Sequence, residues 1–192
     1  MQGYNNYAAR KPAAAREKLP IGCYVAKIMN AEEVVGQYGR TLLVSFDIIE
    51  GEYKDFFRKD YEASAGNENR KWRGTIRMKV PAGDGSERDE WTKRSFEGNM
   101  WAIEDSNPGY HWDWNEKALK GKLIGVNYRS KEWEIDGNTG WTTECGRLES
   151  VEDVRAGRCK PMKDKPLKNS TKPANNTFTD VSDDLSDLPW TL

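Results

Sequence analysis

The sequence predicts a mainly β domain, a five-stranded Greek-key barrel with one inserted helix and disordered termini. Two observations support this fold class. Short segments with an apolar residue at every second position recur along the chain, which is typical of strands with one buried face. A single long segment has apolar residues near helical spacing, and it precedes the last two predicted strands.

The first half of the chain contains the clearest strand signals. Residues 23–35 alternate in polarity, and residues 40–50 place four apolar residues on one face: Leu42, Val44, Phe46 and Ile48. We expect Asp47 on the opposite face of this strand. Residues 53–61 are aromatic and charged and are predicted to continue as a strand, forming a hairpin with residues 40–50. Residues 72–80 predict a further short strand.

The second half begins with the predicted helix. Residues 87–105 favour a helix because four apolar residues occur near helical spacing: Trp91, Phe96, Met100 and Ile103. Residues 123–128 and 141–148 predict two further strands, and residues 136–140 predict the hairpin loop between them. Residues 150–156 predict a last helical turn.

Strands in this order, with a helix before the fourth, indicate an OB-fold. We expect the barrel core to contain Tyr24, Ile28, Leu42, Val44, Phe46, Ile48, Ile124, Val126 and Leu148. A chain of 192 residues is long enough to bury such a core without disulfide bonds. In this fold, the loop between the fourth and fifth strands often contributes to oligonucleotide binding.

Charged residues are segregated along the chain, although its formal net charge is only −1. The predicted organisation is a flexible N-terminal lead at 1–18, an OB-fold domain at 19–158, a flexible linker at 159–179 and an acidic tail at 180–192. Residues 19–154 hold 19 basic and 25 acidic residues, a balance that disfavours phosphate binding. Residues 54–79, with eight basic and four acidic residues, nevertheless form a basic stripe compatible with a nucleic-acid groove.

Aromatic and basic residues interleave in and beside this stripe, and single-strand binders need both, as stacking faces and as phosphate ligands. The candidate DNA-binding residues are Tyr53, Lys54, Phe56, Arg58, Lys59, Tyr61, Arg70, Lys71, Trp72, Arg73 and Arg77. Strand alternation would separate Phe56 from Phe57, so one of the two faces belongs to the core, and the sequence leaves open which. We predict that Trp72 stacks on bases. A second candidate surface near the last hairpin contains Arg129, Lys131, Trp133 and Trp141.

Catalytic motifs are missing from the sequence. It has no Walker loop, nucleophile elbow or paired catalytic carboxylates. The single histidine, His111, has no neighbouring ligand, and with Cys145 and Cys159 it lacks zinc-ligand spacing. Trp112 and Trp114 lie among acidic residues that repel phosphate, so we expect them to pack. We therefore expect no enzymatic activity, no metal and no cofactor.

The cysteines and the apolar pattern bear on the compartment. Cys23, Cys145 and Cys159 are widely spaced, and their odd number predicts reduced thiols, as in a cytoplasm. No apolar run is long enough to span a bilayer, and the N-terminal basic residues are not followed by a signal-peptide segment. We therefore expect a cytoplasmic protein that does not bind membranes.

The last thirteen residues combine acidic residues with an apolar end. The residues predicted to bind a protein partner are Asp183, Asp184, Asp187, Leu188, Pro189 and Trp190. This segment resembles the C-terminal tail of bacterial single-stranded DNA-binding proteins, which docks replication and repair enzymes. It differs from that tail because Trp190 replaces phenylalanine and two residues follow it. The resemblance implies a tail that recruits enzymes. The abrupt change from the basic segment at residues 155–172 to this acidic end predicts that the tail also competes with DNA for the basic stripe.

Several segments within residues 19–160 resemble one family. The matching segments are LPIGCYVAKI at 19–28, EGEYKDFF at 50–57, SNPGYHWDW at 106–114, LKGKLIGV at 119–126 and SVEDVRAG at 150–157. They are similar to OB-fold single-stranded DNA-binding proteins of bacteriophages that infect Gram-positive bacteria. The resemblance implies sequence-independent binding of single strands during phage DNA replication or recombination, in the host cytoplasm.

Two other functions remain open at this point. The chain could be a replication or recombination mediator that recruits proteins and touches DNA weakly, which the acidic balance of residues 19–154 favours. A metal-dependent nuclease built from dispersed carboxylates is the other alternative. The sequence does not decide whether the chain forms a homo-oligomer.

Overall fold

A computed structural model describes residues 17–37, 39–67 and 70–167. Its elements are β1 (Gly22–Gly36), β2 (Gly39–Ile48), α1 (Phe56–Ala63), β3 (Thr75–Lys79), α2 (Glu87–Asp105), a 3₁₀ helix (Glu116–Leu119), β4 (Leu123–Ile135), β5 (Asn138–Glu149) and α3 (Val151–Arg155). Of the predicted flexible lead, linker and tail, residues 1–16 and 168–192, which include the whole acidic tail, lie outside the described residues.

The five strands form one antiparallel sheet in the order β3-β2-β1-β4-β5. Helix α2 connects β3 to β4. The mainly β prediction is therefore confirmed, and the arrangement is consistent with an OB-like barrel. Within the described ranges, no strand pairing joins β3 to β5, so the sheet is open along these two edges.

Apolar residues of the sheet and of α2 form one core cluster. Eight of the nine predicted core residues are buried: Ile28, Leu42, Val44, Phe46, Ile48, Ile124, Val126 and Leu148. Tyr24, the ninth, is only partly buried and packs against this cluster. A β-bulge between Ile28 and Asn30 interrupts β1. Before the bulge β1 pairs with both β2 and β4, and beyond it β1 pairs with β2 alone.

The predicted strand at residues 53–61 is wrong, because this segment forms α1. The cause is a long-range helix cap. The carboxylate of Asp47 accepts hydrogen bonds from the backbone N–H groups of Phe57 (3.0 Å) and Arg58 (3.3 Å), which helix geometry leaves without partners. Asp47, predicted on the face of β2 opposite its four apolar residues, is therefore buried. Burial raises the pKa of Asp47, and these backbone hydrogen bonds oppose that rise.

Helix α2 has the predicted bounds. The side chain of Ser86 caps it by accepting a hydrogen bond from the N–H of Asp89 (3.2 Å). Phe96, Met100 and Ile103 are buried at spacings of four and three residues. Trp91, expected on the same face, is 75% exposed, because a position five residues before Phe96 lies off this stripe.

The last hairpin has longer strands and a shorter turn than predicted. Ile135 pairs with Asn138, so the turn contains only Asp136 and Gly137 instead of the expected loop at 136–140. Both turn residues have positive φ angles, 50° and 76°. A two-residue turn of this kind strongly favours the Asp-Gly sequence.

The segment after α3 remains attached to the domain as far as residue 167. Cys159 forms a disulfide bond with Cys23, which corrects the expectation of reduced thiols at these two positions. Cys145 is free and buried, and burial raises its pKa. The N–H of Lys165 donates to the carbonyl of Ser130 (2.9 Å), so this segment borders the outer half of β4.

Candidate nucleic-acid interface

A groove of about 560 Å³ runs along the open edges of β3 and β5. Six cationic side chains and one carboxylate line it. The cations are Lys18, Arg73, Arg77, Arg129, Lys131 and Lys165, and the carboxylate is Glu144. The groove is therefore strongly basic in a chain with a formal net charge of −1. We refer to it below as the basic groove.

Glu144, on β5, binds three of these six cations. Its carboxylate oxygens lie 3.1 Å from Arg129 Nη2, 2.9 Å from Lys131 Nζ and 3.3 Å from Lys165 Nζ. Burial raises the pKa of Glu144, but hydrogen bonds from Lys131 and Arg129 outweigh this effect and leave its pKa below the usual range. Glu144 is therefore a carboxylate at neutral pH, and it occupies the position between cations that a phosphate would favour.

The other cations of the basic groove are held in different ways. Arg73 Nε donates to Asp60 Oδ2 (2.7 Å), and its Nη2 donates to the carbonyl of Glu17 (3.0 Å). Arg77 projects from β3 and is exposed, and it has no ion-pair partner in the described part of the chain. Arg77 is consequently the groove cation most available to an incoming anion.

Aromatic rings form part of the groove wall. Phe57 and Tyr128 are buried and stack with ring centroids 6.3 Å apart, and burial raises the pKa of the Tyr128 hydroxyl. Phe56 is partly buried and contacts Phe57 and Tyr53 edge to face. Trp141, on β5 beside the groove, is 46% exposed, and its carbonyl accepts a hydrogen bond from Lys18. Phe56 and Trp141 are thus the rings best placed to meet a base.

The structure brings five of the predicted DNA-binding residues together in the basic groove: Phe56, Arg73, Arg77, Arg129 and Lys131. Other predicted cations lie on or near α1. Arg58 pairs with Asp55 (2.8 Å), and Lys59 donates to the carbonyl of Lys54 (2.9 Å). Lys71 is exposed in the segment that leads into β3. The lining of the basic groove includes none of these four predicted cations, namely Lys54, Arg58, Lys59 and Lys71.

Trp72 and its neighbours form a separate cluster beside the groove. The Trp72 indole donates to the carbonyls of Phe46 (3.1 Å) and Gly74 (3.2 Å), and its ring packs against Tyr61. The guanidinium of Arg70 lies 4.4 Å from the centre of the Tyr61 ring. These contacts give Trp72 a structural role in joining α1 to β2, and they favour packing over the predicted stacking on bases.

The remaining predicted residues lie elsewhere. Trp133 packs over Gly140 across the β4–β5 hairpin, where any side chain at position 140 would collide with the indole ring. Tyr53 contacts Tyr24, whose pKa is raised to about 12, chiefly by burial. The predicted partner-binding residues at 183–190 lie outside the described residues.

The sequence did not reveal several groove residues, notably Lys18, Tyr128, Thr142, Thr143, Glu144 and Lys165. Lys18 and Lys165 occur in segments predicted to be flexible. Glu144 does not stand out in the sequence, because an acidic residue does not suggest phosphate binding. The sequence gives no signal for Glu144 until its pairing with the predicted residue Arg129 on β4 is known.

Two other kinds of site are absent from the described ranges. No helix there is both long and apolar enough to cross a membrane. Those same residues contain no cluster of His, Cys, Asp and Glu side chains suited to a metal ion. His111 is largely exposed and lies 3.5 Å from Glu104. Comparison with protein-family models finds no match, and a search of curated proteins finds no similar sequence.

Proposed function

We propose that this protein binds single-stranded DNA without sequence preference in the basic groove. One observation carries the proposal: six cations and a single carboxylate line the open edge of an OB-like sheet. Affinity of proteins for nucleic acid comes largely from lysine and arginine contacts with phosphates.

Different groove residues would contact the phosphates and the bases of a bound strand. Arg77 and Lys18 can accept phosphates without first losing an ion pair to a carboxylate. Three other cations would release Glu144 and bind phosphate in its place, namely Arg129, Lys131 and Lys165. Phe56 and Trp141 offer aromatic surface for stacking, which adds about 1–3 kcal/mol per base and tolerates any sequence. The expected result is binding that depends strongly on salt and weakly on sequence.

The biological setting is also part of the proposal. The resemblance of residues 19–160 to phage single-stranded DNA-binding proteins supports a role in phage DNA replication or recombination in the host cytoplasm. The acidic tail would recruit replication or recombination enzymes through Trp190. Residue 167, the last described before the tail, follows the groove residue Lys165 closely. This attachment supports competition between the tail and DNA for the basic groove.

The test is a titration of fluorescently labelled oligo-dT with the full chain, followed by anisotropy at several salt concentrations. We expect saturable binding with a log–log salt slope of about −0.7 per phosphate contacted. Arg77→Ala should weaken binding and reduce that slope by about 0.7, the contribution of one phosphate. The matched control is Lys27→Ala, which removes an exposed cation of β1 outside the groove.

Two results would overturn the proposal. One is an affinity that does not change with salt or that favours duplex DNA over the single strand. The other is an equal effect of Arg77→Ala and Lys27→Ala, which would show that binding follows the overall charge of the chain instead of the groove.

A further inference from the structure

A second cavity, of about 710 Å³, lies between the loop at residues 81–85, helix α2 and the turn at residues 112–114. It shares no lining residue with the basic groove. Its walls are aromatic and apolar, contributed by Phe96, Met100, Trp101, Trp112 and Trp114. We refer to it as the tryptophan pocket.

Two indole rings of the tryptophan pocket are presented to solvent. Trp101 is 57% exposed and Trp114 is 62% exposed. The Trp114 ring stacks on Phe96, with centroids 5.9 Å apart and planes 11° apart, and Trp112 lies 6.0 Å from Trp114. The buried Phe96 ring thus supports the exposed Trp114 ring, and an exposed aromatic ring packed on a buried one is typical of an interface anchor site.

The backbone of Trp114 supports a binding role for this pocket. Its φ angle is 66°, in the left-handed region that bulky residues rarely adopt. Such a conformation costs about 1–3 kcal/mol and often occurs at binding sites. Here the unfavourable backbone holds the Trp114 ring against Phe96 while leaving most of the residue in solvent.

The rim of the tryptophan pocket is acidic. Four carboxylates and one ammonium group line it, namely Asp89, Glu90, Glu97, Glu104 and Lys93. Asp89 accepts from the N–H groups of Ala82 and Gly83, and Glu104 accepts from the N–H of Trp112, so these two carboxylates shape the pocket. Glu90 and Glu97 have no ion-pair partner in the described ranges. This charge disfavours a nucleic-acid phosphate and favours a cation.

We propose that the tryptophan pocket docks a lysine- or arginine-bearing segment of a partner protein in which apolar residues flank the basic side chain. The basic side chain would lie over the Trp101 or Trp114 ring, where an aromatic face attracts a cation. Glu90 and Glu97 would bind its charge, and apolar neighbours would cover Phe96 and Met100. Because the two sites share no residue, DNA and the partner can bind at the same time.

The test uses the full chain and a defined probe, the peptide Ac-Leu-Arg-Lys-Leu-Arg-Lys-amide, followed by indole N–H resonances and calorimetry. We expect saturable shifts confined to the pocket tryptophans. A peptide with glutamate at every basic position should produce none. Trp101→Ala and Glu97→Lys should each weaken peptide binding roughly tenfold. Both positions are on the surface of α2, so the variants should fold.

Matched controls come from the same helix. Trp91→Ala removes a more exposed indole outside the pocket, and Glu87→Lys reverses an exposed charge outside it. Neither should change peptide affinity. The proposal is refuted if the acidic peptide binds equally well, or if pocket and control variants behave alike. It is also refuted if oligo-dT shifts the pocket indoles, or if the chain self-associates through Trp101. Because Arg77→Ala tests only the basic groove, failure of DNA binding and failure of docking give separate results.

Discussion

Glu144 provides the sharpest test of the basic groove, because its carboxylate is the groove's own anion. Replacing it by glutamine keeps the size of the side chain and removes the charge that holds Arg129, Lys131 and Lys165. In the wild-type protein, a phosphate must displace this carboxylate from cations 2.9–3.3 Å away. Glu144→Gln should therefore bind single-stranded DNA more tightly at low salt, contrary to the usual effect of altering a binding site.

The size of the effect follows from the number of cations released. Each additional phosphate contact contributes about −0.7 to the log–log salt slope, so a fourfold rise in salt lowers affinity by an extra factor of about 2.6. If all three cations gain a phosphate, that factor reaches about 18. The advantage of Glu144→Gln over wild type should consequently shrink between 50 and 200 mM salt, by a factor of about 2.6 to 18.

Glu144→Gln should lower the stability of the fold, although it raises the affinity for DNA. The Glu144 side chain is 24% exposed, and losing its ion pairs should cost about 1 kcal/mol at neutral pH. Because folding lowers the pKa of Glu144, its contribution is present above the unfolded pKa of about 4.3 and is lost as pH falls through the folded value. The difference in unfolding free energy between variant and wild type should therefore disappear in acid.

The assay is anisotropy of labelled oligo-dT from 50 to about 200 mM salt, combined with urea unfolding between pH 3 and about pH 7. Glu149→Gln is the matched control, since Glu149 is an ion-paired carboxylate of β5 outside the groove lining. If Glu144→Gln weakens binding at every salt concentration, Glu144 positions the cations for DNA and does not compete with it. An unchanged slope would mean that these cations do not contact phosphate.

Three further predictions concern other parts of the chain. Trp72→Ala should lower the free energy of unfolding in urea by about 2 kcal/mol, because the indole N–H donates a hydrogen bond to the carbonyl of Phe46. The same variant should leave DNA affinity per folded molecule unchanged. Deleting residues 180–192 should preserve or raise DNA affinity at low salt and abolish pull-down of replication enzymes, and Trp190→Ala should abolish pull-down alone. Cys23→Ser should cost about 2–4 kcal/mol under oxidising conditions, because the bond to Cys159 closes a loop of 136 residues. With a reducing agent present, this variant and the wild type should unfold alike.

Local signals in the sequence were sufficient for most elements of the sheet. Residues 40–50 alternate cleanly, and β2 buries the four apolar residues that this pattern indicated. The apolar spacing of residues 87–105 likewise predicted α2, which has the predicted bounds. In each case the determining contacts lie within a few residues of one another, so periodicity and end signals record them directly.

Long-range contacts account for the features that sequence reasoning missed. Helix α1 replaces a predicted strand because Asp47, about ten residues earlier, caps its first N–H groups. Cys23 and Cys159 pair across most of the chain, and linear spacing gives no sign of that proximity. Lys165 reaches the groove only because the segment after α3 hydrogen-bonds to β4. Such contacts depend on tertiary geometry that no local pattern encodes.

The acidic balance of residues 19–154 does not conflict with a basic groove, because electrostatic interactions in salt solution are local. At physiological ionic strength the screening length is about 8 Å, so exposed carboxylates farther away hardly reduce the attraction of a phosphate. The groove contains one carboxylate among six cations, whereas the tryptophan pocket contains four carboxylates and one ammonium group. Distinct surfaces of opposite sign can therefore coexist in a chain with a formal net charge of −1. It follows that a charge substitution inside the groove should change the salt dependence of DNA binding. An equal charge substitution at the tryptophan pocket should leave it unchanged, even though the two substitutions alter the net charge of the chain by the same amount.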